Sequence, residues 1–198
     1  MTTDIDIKRA DIKQYFDENA KILEAEQFEL SEYGMYYFEA QQYHQTDPKR
    51  NWIVTKIQIG HIEKEGHFFE YLTDNDDNCF LWVCKDNKDY LLLPEFQGGQ
   101  SIFDVAEQRL YSYYSEDDSF IWINIHISPN KTKLAVTGCY WACPFEIVVY
   151  DCANLTGLPY LCIYRQWLEH NFQIQEWVDN ETLLIVSNKK EEQCIKIL

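Results

Sequence analysis

Basic residues are scarce in this chain: 17 Lys and Arg stand against 33 Asp and Glu over 198 residues, a net charge of −16. Affinity for a phosphate backbone comes largely from cations, so the deficit argues against direct nucleic-acid binding and against anionic membrane surfaces. No run of about 18 apolar residues is present that could span a bilayer as a helix. The first residues, Met1-Thr2-Thr3-Asp4-Ile5-Asp6, provide neither the basic nor the apolar part of an export signal. The expectation is a cytoplasmic chain with reduced thiols. Glycine (7) and proline (5) are few, and no Pro-, Gly- or Ser-rich linker divides the chain, so a single domain over 1–198 is expected. Catalytic signatures are missing too: there is no G-x-S-x-G elbow, no Gly-rich phosphate loop and no H-E-x-x-H. Enzyme activity has no positive support, and nothing calls for a cofactor.

Aromatic residues are abundant instead, with 14 Tyr, 11 Phe and 6 Trp in a chain that is 46% hydrophobic. That composition folds, and it favours strands. Ile121, Ile123, Ile125 and Ile127 alternate with Trp122, Asn124 and His126, the period-2 pattern of a strand with an Ile face turned to a core. Turn residues Ser128-Pro129-Asn130-Lys131 follow, and then Leu134 to Gly138 and Phe145 to Asp151 read as two further strands of an antiparallel meander.

Similar strand-turn-strand units centre on Tyr33, Asn87, Asn130 and Asn180, separated by 54, 43 and 50 residues. Blades of propeller-type repeats have periods of roughly 40–50 residues. Trp52 to Ile62 and Phe68 to Leu72 form a hairpin around Glu63-Lys64-Glu65-Gly66. Further strand candidates are Ser101 to Val105, Arg109 to Tyr113, Tyr160 to Tyr164 and Cys194 to Leu198. From Ile7 to Leu23, the positions of Ile12, Tyr15, Phe16, Ile22 and Leu23 fall near helical spacing, with Asp6 as an N-cap. The predicted fold is therefore mainly β: an N-terminal amphipathic helix in 1–26, then an antiparallel meander of blade-like hairpins over 27–198, as an open twisted sheet or a small propeller-like array.

The segment Ile127-Ser128-Pro129-Asn130-Lys131-Thr132-Lys133-Leu134-Ala135-Val136, followed by Glu146 to Asp151, resembles the S-P-[DN]-x-x-x-L-A blade of WD-type β-propellers. The chain departs from that family in having no Trp-Asp pair at a blade end and no Gly-His at a blade start. The resemblance implies blade-like hairpins and a module that binds partners rather than one that catalyses.

Several residue sets could carry chemistry, and each also has a plainer role. Cys79, Cys84, Cys139 and Cys143, among seven cysteines, would be a four-thiolate zinc set, but neither pair has knuckle spacing, and residues five apart on a strand face opposite sides. Asp74-Asn75-Asp76-Asp77-Asn78 opens like a calcium loop, yet Cys79 stands where the Gly belongs and Lys85 where the closing Glu belongs. A Cys139 thiol with His126 or His170 could be imagined as a catalytic pair, with nothing to specify its geometry. Two features fit partner binding. Tyr140 and Trp141 interrupt a connection that a short polar turn could have made, against a core-filling role. Tyr111 to Asp118 joins an aromatic stripe to an acidic cluster, a composition suited to a cationic partner.

These features lead to the expectation of an acidic protein-binding module. In it Asp74, Asp76, Asp77, Glu116, Asp117 and Asp118 steer association, and Tyr113, Tyr114, Tyr140 or Trp141 anchors the contact. The partner would be a basic protein such as a toxin or nuclease, blocked as an immunity protein blocks one. The alternatives are a propeller-like scaffold or sensor that holds a peptide or protein, and an enzyme built on a thiol or metal site. Oligomeric state is not legible.

Overall fold

The computed structural model describes residues 4–49, 52–74, 79–95, 99–115, 120–140, 145–168 and 172–197. Among the described residues, one α-helix, α1 (Asp4–Lys13), precedes fifteen strands in four antiparallel sheets, and each sheet is a meander in chain order. Sheet 1 holds β1 (Ala20–Leu30), β2 (Tyr36–Gln45), β3 (Ile53–His61) and β4 (His67–Thr73). Sheet 2 holds β5 (Leu81–Lys85), β6 (Lys88–Pro94), β7 (Gly99–Asp104) and β8 (Arg109–Tyr114). Sheet 3 holds β9 (Phe120–Ile127), β10 (Lys133–Tyr140), β11 (Glu146–Asp151) and β12 (Leu161–Trp167). Sheet 4 has three strands, β13 (Phe172–Trp177), β14 (Thr182–Ser187) and β15 (Glu192–Lys196). The periodic turn centres Tyr33, Asn87, Asn130 and Asn180 each join the first and second strands of one sheet.

Local chemistry makes these turns. Asp86 and Asn87 take φ of 52° and 58°, the paired left-handed conformations of a two-residue hairpin, which Asp and Asn tolerate better than most residues. In the Ser-Pro-Asn turn, buried Ser128 receives hydrogen bonds at Oγ from the Thr132 (3.2 Å) and Lys133 (2.9 Å) amides and donates to Asn130 Oδ1 (2.8 Å). The turn is thus held by its own side chains.

The sheets stack in sequence order, joined by three apolar clusters. Phe38, Ile57 and Ile59 of sheet 1 meet Leu91, Leu93 and Phe103 of sheet 2. The opposite face of sheet 2, with Val83, Leu92 and Ile102, meets Leu134, Val136 and Val148 of sheet 3. Ala135, Ile147 and Val149 on the other face of sheet 3 meet Leu183, Ile185 and Ile195 of sheet 4. Successive strand residues point to opposite faces, so Leu91-Leu92-Leu93 and Ile147-Val148-Val149 each supply two interfaces. Sheets twist, and the amide of Tyr160, just before β12, reaches across to Gln100 Oε1 at the start of β7 (2.9 Å).

Two sequence expectations need correction. The helix stops at Lys13 rather than continuing to Leu23, and Ile22 and Leu23 belong to β1. The chain leaves the helix through short i→i−3 turns at Gln14, Tyr15 and Phe16, and Phe16 packs edge-on against Tyr43 of β2, 5.3 Å between centroids. Tertiary packing thus overrides a helical spacing that was only approximate. The Ile face of β9 is also not continuous. A register shift opposite Thr137/Gly138 makes Phe120 and Trp122, together with Ile125 and Ile127, the face toward sheet 2. The bulge needs Gly138, because a Cβ there would meet the Ile121 carbonyl and the Phe120 ring.

Candidate protein-binding end

Antiparallel alternation gives the stack two ends. One carries the four turns that join first and second strands, and cross-sheet bonds align it. Lys85 Nζ donates to the carbonyls of Lys131 (3.0 Å) and Ala153 (2.6 Å), and the Asn130 amide donates to Asn180 Oδ1 (2.9 Å). Second and fourth strands therefore finish at the opposite, far end. Asp74 follows β4, Tyr113 and Tyr114 close β8, and Tyr140 closes β10, each at the far end of its own sheet. Asp76, Asp77, Glu116, Asp117, Asp118 and Trp141 lie outside the described residues, as do Cys143 and His170.

Each described candidate has its own setting. The Asp74 carbonyl accepts a hydrogen bond from the indole Nε1 of Trp52 (3.1 Å), which ties the end of β4 to the β2–β3 connection. Tyr113 and Tyr114 are both part-buried but face opposite ways, because neighbouring strand residues alternate. Tyr113 stands opposite Gln100, whose side chain reaches sheet 3, whereas Tyr114 lies under Lys8 of α1, with Nζ 5.8 Å from the ring centroid. The stripe read from the sequence is thus shared between two surfaces.

Tyr140 is part-buried and packs on Phe120, 5.1 Å between centroids. Arg165 of β12 reaches both rings, 5.6 Å from the Tyr140 centroid and 5.7 Å from that of Phe120, and donates to the Tyr140 hydroxyl (2.8 Å). Its Nε also lies 3.4 Å from the buried carboxylate of Glu146. Burial works against the Arg165 charge, and the Tyr140 and Glu146 contacts outweigh it, so its pKa is raised. Trp167 stands opposite Glu146 in the ladder and is 60% exposed, and Phe145 beside it is 43% exposed. Tyr140 therefore forms a pair with Phe120, with a cation of its own chain already on its ring. Sequence reading missed Arg165, Glu146 and Trp167. The only signal was a lone cation in an otherwise uncharged strand.

Near Tyr114, α1 is fastened by a polar cluster. Arg9 donates to Glu95 Oε1 (2.7 Å) and Ser112 Oγ (2.7 Å), and the Glu95 side chain is 1% exposed. Burial disfavours the Arg9 charge, but Glu95 overcomes this and raises the guanidinium pKa. Tyr71, within the same cluster, has its hydroxyl pKa pushed well above the ordinary value, first by burial and then by Glu95.

Among the described residues, the thiol and metal candidates do not assemble. Cys79 is buried with its Sγ 3.5 Å from the Trp122 carbonyl, while Cys84 lies toward the other end of β5. Among the described residues, no group of three or more His, Cys, Asp or Glu could hold a metal ion. His126 lies opposite Ala135, four residues along β10 from Cys139, which is about 13 Å at the rise of a strand. Burial lowers its pKa, favouring the neutral ring. No described helix is long and apolar enough to cross a membrane.

No family model matches the chain, and no curated protein matches it. Among solved structures, the chain is similar to one described as the crystal structure of the eukaryotic initiation factor, with a TM-score of 0.55 and 12% identity. The match covers 86% of this chain and 42% of that one. Identity this low carries the fold and nothing further. Fold, stacking and likeness together make this a mainly β chain of successive antiparallel sheets, compatible with blade-like repeats.

Proposed function

We propose that this chain is an acidic protein-binding module whose far end recognises a basic protein and occludes it, in the manner of an immunity-type inhibitor. The observation that supports the reading is the aromatic surface at the end of β10 and β12 in sheet 3: Tyr140 is part-buried on Phe120, and Trp167 is exposed, in a chain of net charge −16. Aromatic side chains bury large area at modest entropic cost, and a net charge of −16 attracts a cationic surface over several ångströms before contact. A partner's Arg or Lys would meet Tyr140 with Arg165 already present, so binding there requires Arg165 to shift toward Glu146.

The test is affinity capture of the tagged chain from its own cells at low and high salt, followed by rate measurements on the retained partner. Reversing Glu116, Asp117 and Asp118 to Lys is expected to slow association about tenfold or more at low salt, and by less at high salt. Retention of no basic partner, or a rate indifferent to the reversal, sinks the reading. The second reading is a propeller-like scaffold in which the four sheets act as blades and a partner strand or peptide adds to an edge. The regular stacking order favours it, and salt-insensitive capture would support it.

A further inference from the structure

Sheets expose backbone hydrogen-bonding groups at their edges, and folded proteins blunt those edges with bulges, charges or covering elements. The outer edge strands of sheets 1 and 2, β4 and β8, are contacted by α1. The ladder of β12 in sheet 3 is bulged at Val149/Tyr150. β15 differs from all three. It pairs with β14 in unbroken register from Thr182↔Lys196 to Val186↔Glu192, and among the described residues it is the last strand of a sheet that has only three.

The direction of its free backbone groups follows from the ladder. The Ile197 amide bonds the Glu181 carbonyl (2.7 Å), and the Glu191 carbonyl accepts from the Ser187 amide (2.9 Å). Odd-numbered residues of this strand therefore turn toward β14, and Glu192, Cys194 and Lys196 present their N–H and C=O groups to the open edge. The side chains of these three share the face away from buried Ile195, and all three are exposed. Glu192 and Lys196 stand symmetrically about Cys194, so the edge is complementary to itself when turned by a two-fold axis.

We propose that β15 pairs antiparallel with β15 of a second copy of this chain, centred on Cys194. Glu192 of each copy then lies opposite Lys196 of the other, and the three facing pairs exchange six backbone hydrogen bonds. The charges choose this register. A slip of two residues one way sets Lys190 against Lys196, and the other way sets Lys196 against Cys194, losing the opposite-charge pairs. Within its own sheet Lys196 adds only a Coulombic share to the lowered Asp179 pKa, behind the backbone hydrogen bond from Glu181, and the partner's Glu192 supplies it with an acceptor. Five-residue edges bury far less than the roughly 1,200 Å² of a standard interface, so the dimer is transient, with a dissociation constant on the order of 10–100 µM.

Sedimentation of the full chain from about 10 to 500 µM tests this. The weight-average mass is expected to climb toward twice the monomer. K196E should shift the dissociation constant upward by about tenfold or more, and the swapped E192K/K196E chain should recover it. In a chain carrying C162S, a short bis-maleimide should join two copies through Cys194, each thiol adding across one maleimide C=C, and K196E should suppress that product. Unchanged thermal unfolding of the variants separates lost pairing from lost folding. A monomer at the highest concentration overturns the proposal. So does a dimer indifferent to K196E, or an edge that pairs only with a different protein.

Discussion

The two middle sheets and the two outer sheets of the stack use the same strands differently. In sheet 2 every residue of β7 is buried, and in sheet 3 five of the six residues of β11 are buried. In sheet 4, β14 alternates between part-exposed and buried positions, and half of the residues of β13 are exposed. The middle sheets are packed on both faces and so read as near-continuous apolar runs, while the outer sheets are packed on one and alternate. A sheet's place in the stack is therefore written in its hydrophobic pattern. The outer faces and far-end connections are left to carry polar, charged and exposed aromatic residues.

The largest loss is expected where α1 clamps sheets 1 and 2 together. Arg9→Met leaves Glu95 buried without its cation, and loss of one partner of a buried ion pair costs about 3–5 kcal/mol. Urea unfolding should show that loss, and Glu95→Gln in the same chain should restore much of it. If Arg9→Met is neutral, the clamp does not hold the sheets together.

Within the strands, Leu92→Ala in the middle of the stack should cost about 2–5 kcal/mol through its lost contacts and residual cavity. Gln58→Thr on the outward face of sheet 1 should stay within about 0.5 kcal/mol of the parent. Equal effects at the two positions would erase the distinction between middle and outer sheets.

The smallest expected effect is a pH dependence at the seam between sheets 3 and 4. Burial lowers the His126 pKa in the folded chain below the 6.5 of the free side chain. Below about pH 6.5 the unfolded chain therefore binds more protons at this site, and stability falls as the pH drops. His126→Gln should flatten that part of the pH–stability profile. An unchanged slope would mean that this ring adds nothing to it.

Much of the fold was legible because its causes are local. Asp86-Asn87 and Ser128-Pro129-Asn130 make turns from their own side chains, and alternation or continuous apolar character marks the strands they join. The four turn centres named from spacing each fall in the first hairpin of one sheet. The bulge at Gly138 was not legible. It depends on how β10 meets β9, and it moves the buried face from Ile121 and Ile123 to Phe120 and Trp122. The end of α1 was missed for a similar reason: Phe16 leaves the helical pattern to pack on Tyr43, 27 residues later.

The candidate site divides along the same line. Acidic runs and clustered aromatics could be named from composition, and strand order places Asp74, Tyr113, Tyr114 and Tyr140 each at the same end of its own sheet. The pleat alone then parts Tyr113 from Tyr114. The partnerships needed tertiary structure: Arg165 on Tyr140 joins residues 25 apart, Asn130 with Asn180 joins residues 50 apart, and Arg9 with Glu95 joins residues 86 apart. The sequence by itself determined the strands and the turns that join them, because backbone geometry and burial act over a few residues. Only the stacking of the sheets decided which charges are paired and which edge is left open, because those depend on surfaces that distant segments bring together.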